Sequence, residues 1–233
     1  MARLGRHNSI NRRRDHQRPP LPISVTPIEY WHGDFQLTPS AWVGQLGGRS
    51  LTGTGTPVVG ADGAFFNGRP VAQTAITGSK YWSATGLTVA ATGTRPWMYS
   101  IARARTLDAT SRFLVGGGGG AIAHGLRART ANFRSLWNSA ASNDTAGAAD
   151  TNPHRFSTWL DGTSISLRVD GTSVTAAYTP ALTADLTEIY VGKNPVAADT
   201  GDSSIAFFLI CSAIPTASEI TALDAWSLRY WGV

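Results

Sequence analysis

Short apolar runs separated by turn-forming residues make up most of the chain from Ile28 onward. In Ser164–Val169, three aliphatic residues alternate with polar or charged ones, which places one face of a strand inward and the other outward. The dipeptides Asp161-Gly162 and Asp170-Gly171 on either side suit the two-residue turns of β-hairpins. The pattern therefore predicts a three-strand meander, whose strands are Phe156–Leu160, Ser164–Val169 and Val174–Tyr178.

The other apolar runs predict further strands and one short helix. Ile205–Cys211 lacks alternation, so we expect a central strand covered on both faces. The remaining predicted strands are Phe65–Phe66, Val71–Ala75, Tyr81–Trp82, Trp97–Ala104, Arg112–Val115, Ala121–Arg127, Asn132–Asn138 and Ile189–Gly192. A helical turn is predicted at Ala217–Trp226, because Thr216 and Glu219 have the spacing of a capping box. These elements predict one all-β, two-sheet antiparallel sandwich over residues 28–233.

Residues 1–27, called the arm below, are basic and proline-rich. The arm contains six arginines, Arg3, Arg6, Arg12, Arg13, Arg14 and Arg18, against the single acid Asp15, and this excess equals the formal net charge of +5 of the whole chain. The sandwich is therefore electrically neutral, and any attraction to acidic partners is expected from the arm. Its prolines, Pro19, Pro20, Pro22 and Pro27, favour an extended segment that does not fold by itself.

Three hypotheses account for the arm. It is a solvated tail, it neutralises phosphates of a nucleic acid, or its arginines dock onto an acidic groove of a neighbouring protein. We favour the protein partner over nucleic acid, because the arm has no interleaved aromatic residues for stacking on bases.

The sequence also bears on redox state and location. Cys211 is the only cysteine, which excludes an intrachain disulfide, and its apolar surroundings predict a buried, inert thiol. No stretch approaches the ~20 apolar residues that cross a bilayer, and the basic N-terminus lacks the apolar segment of a signal peptide. We expect a protein made in the cytoplasm, with no export signal and no membrane association.

Several segments of the predicted sandwich follow one another in a recognisable order. They are Trp42–Gly48 (WVGQLGG), Pro57, Phe66–Val71 (FNGRPV), Trp159–Gly171 (WLDGTSISLRVDG), Ile205–Ile214 and Pro215–Leu223 (PTASEITAL). In this order they resemble the concanavalin A-like (laminin-G-like) lectin/glucanase domains of bacterial and phage proteins, over roughly residues 35–233. The resemblance implies a jelly roll with one concave face, a fold used for glycan and protein binding. Function does not follow from fold, since members include lectins, glycoside hydrolases, adhesion modules and phage structural proteins.

Catalysis is tested against the residues that glycoside hydrolysis needs, namely two carboxylates flanking the scissile bond. The only glutamates are Glu29, Glu188 and Glu219, and they form no closely spaced acidic cluster. The histidines, His7, His16, His32, His124 and His154, are scattered and match no nucleophile or zinc motif. We therefore predict no catalytic residues, no cofactor and no enzymatic activity.

Metal and phosphate sites are considered at loop-like positions. Calcium is bound by some members of the fold, but the loop aspartates lack a recognisable ligand spacing and are predicted to be turn residues. These are Asp34, Asp62, Asp144, Asp150, Asp199 and Asp202. The run Gly116–Gly120 lacks the Gly-Lys-Ser/Thr ending of a phosphate loop, so we predict a flexible loop or hairpin tip.

Eight tryptophans are many for this length: Trp31, Trp42, Trp82, Trp97, Trp137, Trp159, Trp226 and Trp231. Most are expected in the core, but an outward tryptophan would suit sugar stacking or a protein interface. We choose Trp82 and Trp137 as the candidates for such exposed positions.

The favoured function is that of a non-enzymatic bacteriophage virion protein, as a capsid decoration, a stabilising protein or a tail adhesion component. Its arm would anchor it to neighbouring capsid or tail subunits, in many copies or as a homo-oligomer, after assembly in the host cytoplasm. The alternative is a free carbohydrate-binding, lectin-like protein, and a glycoside hydrolase is a remote third.

Overall fold

A computed structural model describes residues 20–62, 65–110, 112–119, 122–138, 141–145, 148–161, 163–177, 182–195 and 200–233. The six arginines of the arm lie outside the described residues, as do His7, His16, Gly120, Ala121, Gly162, Tyr178 and Asp199.

Antiparallel strands make up most of the described chain. They are β1 (Pro27–His32), β2 (Ala41–Val43), β3 (Ser50–Thr54), β4 (Val58–Ala61), β5 (Pro70–Gln73), β6 (Tyr81–Ala84), β7 (Trp97–Ala104), β8 (Arg112–Gly119), β9 (Ile122–Arg129), β10 (Asn132–Trp137), β11 (Ala141–Asp144), β12 (His154–Leu160), β13 (Ser164–Val169), β14 (Thr172–Ala177), β15 (Glu188–Val191) and β16 (Ser203–Cys211). A 3₁₀ turn, Phe65–Gly68, precedes β5, and one α-helix, α1 (Ala217–Trp231), follows β16.

The strands form two eight-stranded sheets. The first has the order β14-β13-β12-β7-β16-β5-β4, with β1 also paired to β16, and the second has the order β11-β10-β9-β8-β15-β6-β3-β2. This arrangement confirms the predicted all-β, two-sheet antiparallel sandwich.

Apolar side chains from both sheets form the inter-sheet core. Met98 of β7 and Phe208 and Ile210 of β16 lie in it, facing Val115 of β8 and Ile189 of β15. Because successive side chains of a strand point to opposite faces, the intervening residues of β7 and β16 project from the outer face of the first sheet.

Helix α1 covers that outer face. Its buried residues Ile220, Leu223, Trp226 and Trp231 pack with residues of β7 and β16 in a second group, the helix-side cluster, which also contains Trp97, Tyr99, Phe207, Leu209 and Cys211. Strand β16 is therefore covered on both faces, as its continuous apolar sequence predicts. Cys211 is fully buried, as expected.

The helix begins with the predicted capping box. The Thr216 side chain accepts from the Glu219 N–H and the Glu219 carboxylate accepts from the Thr216 N–H at 2.8 Å. The helix extends beyond the predicted Trp226 to Trp231 and ends where Gly232 adopts a left-handed conformation with φ of 78°. None of the helices in the described part of the chain is long and apolar enough to cross a membrane.

The predicted meander is confirmed as β12, β13 and β14, which pair in sequence. Asp170 and Gly171 have φ of 47° and 94°, as the two-residue turn between β13 and β14 requires. The other predicted strands are also present, β7 with its predicted bounds and the rest with shifted ends, except Phe65–Phe66. Five strands, β1, β2, β3, β4 and β11, are additional to the prediction.

The predicted strand Phe65–Phe66 is wrong. Phe66 and Asn67 have φ of 56° and 52° inside the 3₁₀ turn. The chain must reverse here, because the flanking strands β4 and β5 are antiparallel neighbours. The turn places the Phe66 side chain in the helix-side cluster, so its apolar character reflects packing under α1.

The predicted loop at the glycine run is also wrong over its described part, since Gly116–Gly119 continue strand β8. A Cβ atom on Gly117 would lie 2.2 Å from the carbonyl oxygen of Glu188, and one on Gly119 would lie 1.8 Å from that of Asp185. The glycines allow the neighbouring backbone to approach closely, and they do not mark a loop.

Candidate functional site

The two tryptophans chosen as exposed are both fully buried, so that prediction is wrong. Trp82 and Trp137 occupy inward positions of the second sheet and belong to the inter-sheet core. Their indole N–H groups donate inside the protein, from Trp82 to the Thr38 carbonyl at 3.1 Å and from Trp137 to Thr158 Oγ1 at 2.8 Å. Neither can stack on a ligand in this arrangement.

Trp159 is the one tryptophan of the eight, all of which are described, that is not buried. It lies on β12 between two inward residues, Thr158 and Leu160, and therefore projects from the outer face of the first sheet. Part of its ring packs against the helix-side cluster, and the rest is accessible.

Two cross-strand rows of side chains surround Trp159 on this face. In the first row Trp159 pairs with Trp97 on one side and Ser166 on the other, and Ser166 pairs with Thr175. The hydroxyls of Ser166 and Thr175 lie 3.1 Å apart. The second row is Tyr99, Ser157, Arg168 and Ser173. The sheet register thus places an indole, hydroxyls and one guanidinium side by side.

The first two turns of α1 complete a cleft over these rows, called the Trp159 groove. It has a volume of about 270 Å³ and is lined by Trp159, Arg168, Ser173, Ala217, Ile220 and Thr221. One wall is helix and the floor is sheet, so both are rigid elements that hold the lining side chains in place.

Arg168 is positioned by an ion pair across the groove's end. Its Nη2 lies 2.5 Å from Asp224 Oδ2, and both side chains are mostly buried. The hydroxyl of Tyr99 donates to Asp224 Oδ1 at 3.3 Å. Burial, and to a smaller extent the nearby charge of Asp224, keeps the pKa of Tyr99 well above its ordinary value. Asp224 therefore ties helix α1 to β7 and β13.

This arrangement suits a polar ligand with apolar patches. An accessible indole offers a flat surface for the C–H face of a sugar ring, and the hydroxyls and guanidinium offer hydrogen bonds. The guanidinium has five N–H donors, and its bond to Asp224 uses one of them. The Thr221 hydroxyl donates to the Ala217 carbonyl at 2.9 Å, which leaves its oxygen as an acceptor.

A second cleft of about 260 Å³ lies at another edge of the sandwich. Its lining is Ile28, Thr88, Val89, Ala90, Ala91, Thr94, Pro96 and Ser212. It contains no aromatic or charged side chain, so it offers neither a stacking surface nor a strong hydrogen-bond donor. The Trp159 groove is the better candidate.

The aspartates predicted as turn residues are held by basic side chains of the same domain, and for Asp144 the prediction is wrong because it ends strand β11. Asp34 pairs with Arg69, Asp62 with Arg103, Asp144 with Arg129 and Arg134, Asp150 with His154, and Asp202 with Arg105. Within the described residues no group of three or more histidine, cysteine, aspartate or glutamate side chains could hold a metal ion. These carboxylates therefore have ion-pair partners, which are arginines for Asp34, Asp62, Asp144 and Asp202 and His154 for Asp150.

The described histidines occupy different environments. Burial lowers the pKa of His32 and of His124 to about 4, so both are neutral at ordinary pH. His154 lies between Asp150 and Asp170, with one ring nitrogen against each carboxylate. Burial raises the pKa of the Cys211 thiol to about 12, in keeping with the inert role that its sequence context predicts.

The sequence contains a signal for Trp159 that the prediction did not use. Phe156–Leu160 is a predicted strand, and its two apolar ends, Phe156 and Leu160, differ by four positions, an even number that places them on the same face. Strict alternation then places Ser157 and Trp159 on the opposite face. Only the helix above that face, however, makes the position a groove.

Solved structures of known proteins share this fold. Domain 4 of AbnA, a GH43 extracellular arabinanase from Geobacillus stearothermophilus in complex with arabinotriose, is similar with a TM-score of 0.61 and 14% identity over 86% of this chain and 98% of that chain. Trypanosoma rangeli sialidase in complex with sialic acid gives a TM-score of 0.56 and 14% identity over 84% of this chain and 32% of that chain.

A third similar structure belongs to work on botulinum neurotoxin type C, whose cell entry depends on interaction with two ganglioside molecules. Its TM-score is 0.63 at 10% identity, over 86% of this chain and 51% of that chain. No protein-family model and no curated protein matches the chain.

These likenesses show the fold, a two-sheet, all-β sandwich. The chain spans nearly all of the arabinanase domain but about half of the neurotoxin structure and about a third of the sialidase. The prediction that the chain has no enzymatic activity is corrected by this finding. Two of the three similar structures are named for glycosidases. The fold and the lack of a closely spaced acidic cluster in the sequence therefore do not distinguish this chain from enzymes.

Proposed function

We propose that this β-sandwich is a carbohydrate-binding domain and that the Trp159 groove is its binding site. The observation that carries the proposal is the placement of Trp159, the one tryptophan among eight that is accessible, beside Arg168 and rows of hydroxyl groups. Similar structures are named for complexes with arabinotriose and sialic acid and for ganglioside interaction, which favours a saccharide ligand.

The roles of the groove residues follow from their chemistry. The accessible part of the Trp159 ring would stack on the apolar face of a sugar ring, Arg168 would donate to ring or hydroxyl oxygens, and Ser173 and Thr221 would exchange hydrogen bonds with sugar hydroxyls. The ion pair with Asp224 holds the guanidinium in place, so it need not be ordered by the ligand.

The test is a glycan array with the full chain, followed by titration calorimetry with the saccharides that bind. We expect Trp159→Ala to lose at least about tenfold in affinity, because a stacked aromatic contact contributes on the order of 1 kcal/mol beyond its buried area. Trp159→Phe should retain part of the affinity, since it keeps a smaller ring.

The matched control is Leu228→Ala, which removes a 57% exposed apolar side chain elsewhere on α1. Its affinity should equal that of the wild type, and thermal melts should show all variants folded. Equal binding by Trp159→Ala and the wild type would remove the groove from the proposal.

A role as a virion component remains a hypothesis, and it rests on the basic arm. In that version the sandwich would present its groove outward from a particle, and the arm would hold neighbouring subunits. Full-length protein with the arm arginines replaced by glutamine should then fail to join particles while keeping its thermal stability. Normal assembly of that variant would contradict the arm-anchor hypothesis.

A further inference from the structure

The first sheet ends on one side at strand β14. This strand is six residues long, pairs with β13 without a bulge, and contains no charged residue and no proline. None of its residues is buried. Charged residues, proline, bulges and covering loops are the features that keep a sheet edge from pairing with another chain, and the described structure shows none of them at β14.

Every second residue of β14 directs its backbone hydrogen-bonding groups to the open side. Val169 and Thr172 flank the two-residue turn and form a hydrogen-bonded pair, and such pairs alternate along an antiparallel ladder. The N–H and C=O groups of Ser173, Thr175 and Ala177 therefore point away from β13. All three residues are exposed, and within the described residues no other strand pairs with this side of β14. The open side of β14 can therefore accept a further strand.

The other edges of the two sheets are short, charged or covered. Strands β2 and β4 have three and four residues. Strand β11 has four and ends at Asp144, which Arg129 and Arg134 hold by ion pairs. Beside β1, the Gln45 N–H donates to the Tyr30 carbonyl at 2.9 Å, so a loop of the same chain already bonds to this strand. Among the described edges, β14 is thus the one that is long, uncharged and uncovered.

We propose that β14 pairs with β14 of a second copy of this chain, antiparallel and with Thr175 of each copy opposite Thr175 of the other. The two copies are then related by a two-fold axis, the commonest symmetry of protein dimers. With Thr175 on the axis, Ser173 of one copy lies opposite Ala177 of the other, so all three open positions of each strand form hydrogen-bonded pairs. The pairing gives about six backbone hydrogen bonds between the chains, two for each such pair.

The side chains of β14 favour a second copy as the occupant of its open side. Small residues meet at each pair and no like charges come together, whereas facing threonines stabilise a cross-strand pair. The strand contains no charge that would select an acidic or basic partner. Outside the arm the formal charges of the chain balance, so two sandwiches have no net repulsion.

The pairing places two Trp159 grooves on one face. An antiparallel strand pair has its two-fold axis perpendicular to the sheet, so the outer faces of the two first sheets point the same way. The cross-strand row of Trp97, Trp159, Ser166 and Thr175 continues into the same row of the second copy. The two Trp159 positions are five strand spacings apart, about 24 Å. One long saccharide would then engage both grooves and bind more tightly than to one; this consequence rests on the proposed function, whereas the pairing does not.

Sedimentation velocity of the full-length chain over a dilution series tests the pairing. From about 1 mM down to about 1 μM, a range that brackets a weak interface, we expect the wild type to change from the mass of two chains to that of one. Thr175→Glu and Thr175→Lys should each weaken self-association at least about tenfold, because like charges meet on the two-fold axis. An equimolar mixture of the two variants should associate again, since glutamate then faces lysine.

The matched control is Thr52→Glu. Thr52 is also an exposed threonine of a strand, but its strand β3 is paired on both sides, by β2 and β6. Self-association of this variant should equal that of the wild type. Thermal melts establish that each variant is folded.

Amide hydrogen exchange of the wild type gives a second measurement that needs no variant. At the high end of the concentration series, the amides of Ser173, Thr175 and Ala177 should exchange at least about tenfold more slowly than after dilution, because they are then hydrogen-bonded. The amides of Val174 and Ala176, on the β13 side of the strand, should change less.

Four results would overturn the proposal. A wild type with the mass of one chain throughout the series would show that β14 does not pair, and so would exchange rates of the open-side amides that are independent of concentration. Equal self-association of the wild type and folded Thr175→Glu would assign the dimer to another surface. A mixture of folded Thr175→Glu and Thr175→Lys that keeps the mass of one chain would exclude the register centred on Thr175.

Discussion

A buried carboxylate explains the glycine-rich segment that carried the family resemblance. Glu29 of β1 is fully buried, and its two oxygens accept from the Leu46 N–H at 2.7 Å and the Gly47 N–H at 2.9 Å. A Cβ atom on Gly44 would lie 2.4 Å from the Glu29 carboxyl carbon. Gly44 therefore makes room for an acid that holds the loop through its backbone N–H groups, which is a structural role.

His154 is the described histidine with charged partners on both ring nitrogens. Nδ1 lies 2.5 Å from Asp170 and Nε2 lies 2.8 Å from Asp150, and both nitrogens donate only when the ring is protonated. Burial opposes the charge, but the hydrogen bonds and charges of Asp170 and Asp150 outweigh it and raise the pKa of His154 above its ordinary value.

We predict that this cluster makes stability fall as the pH rises. A folded-state pKa above the unfolded value near 6.5 gives stability that is complete below about pH 6.5 and lost as the pH rises through the folded pKa. The stability difference between wild type and His154→Gln should therefore shrink as the pH rises above about 6.5, by less than about 1 kcal/mol because Asp150 is half-exposed. Thermal melts across this range measure it.

The control for this prediction is His124→Gln. Burial lowers the pKa of His124 to about 4, so above about pH 7 the ring is neutral in the folded and unfolded states alike. Its stability difference from the wild type should stay constant over the same range. A constant difference for His154→Gln as well would contradict the role of the charged cluster.

At the level of strands and helices, some elements could be predicted from local sequence and others could not. Strands β7, β13 and β16 were predicted because alternation or a long apolar run is a property of the segment itself. Strands β2 and β4 are only three and four residues long, and both include small residues, alanine in β2 and glycine and alanine in β4. They pair with the next strand along the chain, β3 and β5, and segments this short show no alternation from which a strand could be predicted.

The glycine run in β8 is a second case in which local sequence does not determine the element. Flexibility is a local expectation for glycine, but close approach of a neighbouring backbone depends on the sheet register. Prediction of the Trp159 groove is limited in the same way. Alternation in β12 could place Trp159 outward, but the position of α1 above it depends on long-range packing.

The structure predicts opposite outcomes for two Gly→Ala substitutions in strands. Gly117→Ala would place a methyl group 2.2 Å from the Glu188 carbonyl oxygen and should destabilise by at least about 2 kcal/mol. Gly60→Ala in β4 meets nothing within 4 Å and should change stability by less than about 1 kcal/mol, in the stabilising direction. Urea denaturation of both variants measures the difference, and equal stabilities would show that β8 has room for a side chain.

At the level of the whole molecule, the inter-sheet core and the helix-side cluster both contain residues of strands β7 and β16. The inter-sheet core contains Met98 and Phe208, and the helix-side cluster contains Tyr99 and Leu209, from the opposite faces of β7 and β16. Loss of the helix would expose the outer face of the two central strands of the first sheet. Because the same backbone supports both groups, we expect the helix and the sandwich to unfold together.

This cooperativity has a direct test in a pair of leucines on α1. Leu223 is fully buried in the helix-side cluster, whereas Leu228 is 57% exposed. Leu223→Ala should lower the free energy of unfolding by about 2–4 kcal/mol, and Leu228→Ala should change it by less than about 0.5 kcal/mol. In urea, tryptophan fluorescence and far-UV circular dichroism should report one coincident transition for each variant. An early, separate transition in Leu223→Ala, with the sheet signal retained, would show that the sandwich is stable without its helix, and the Trp159 groove would then depend on the weaker of two folding units.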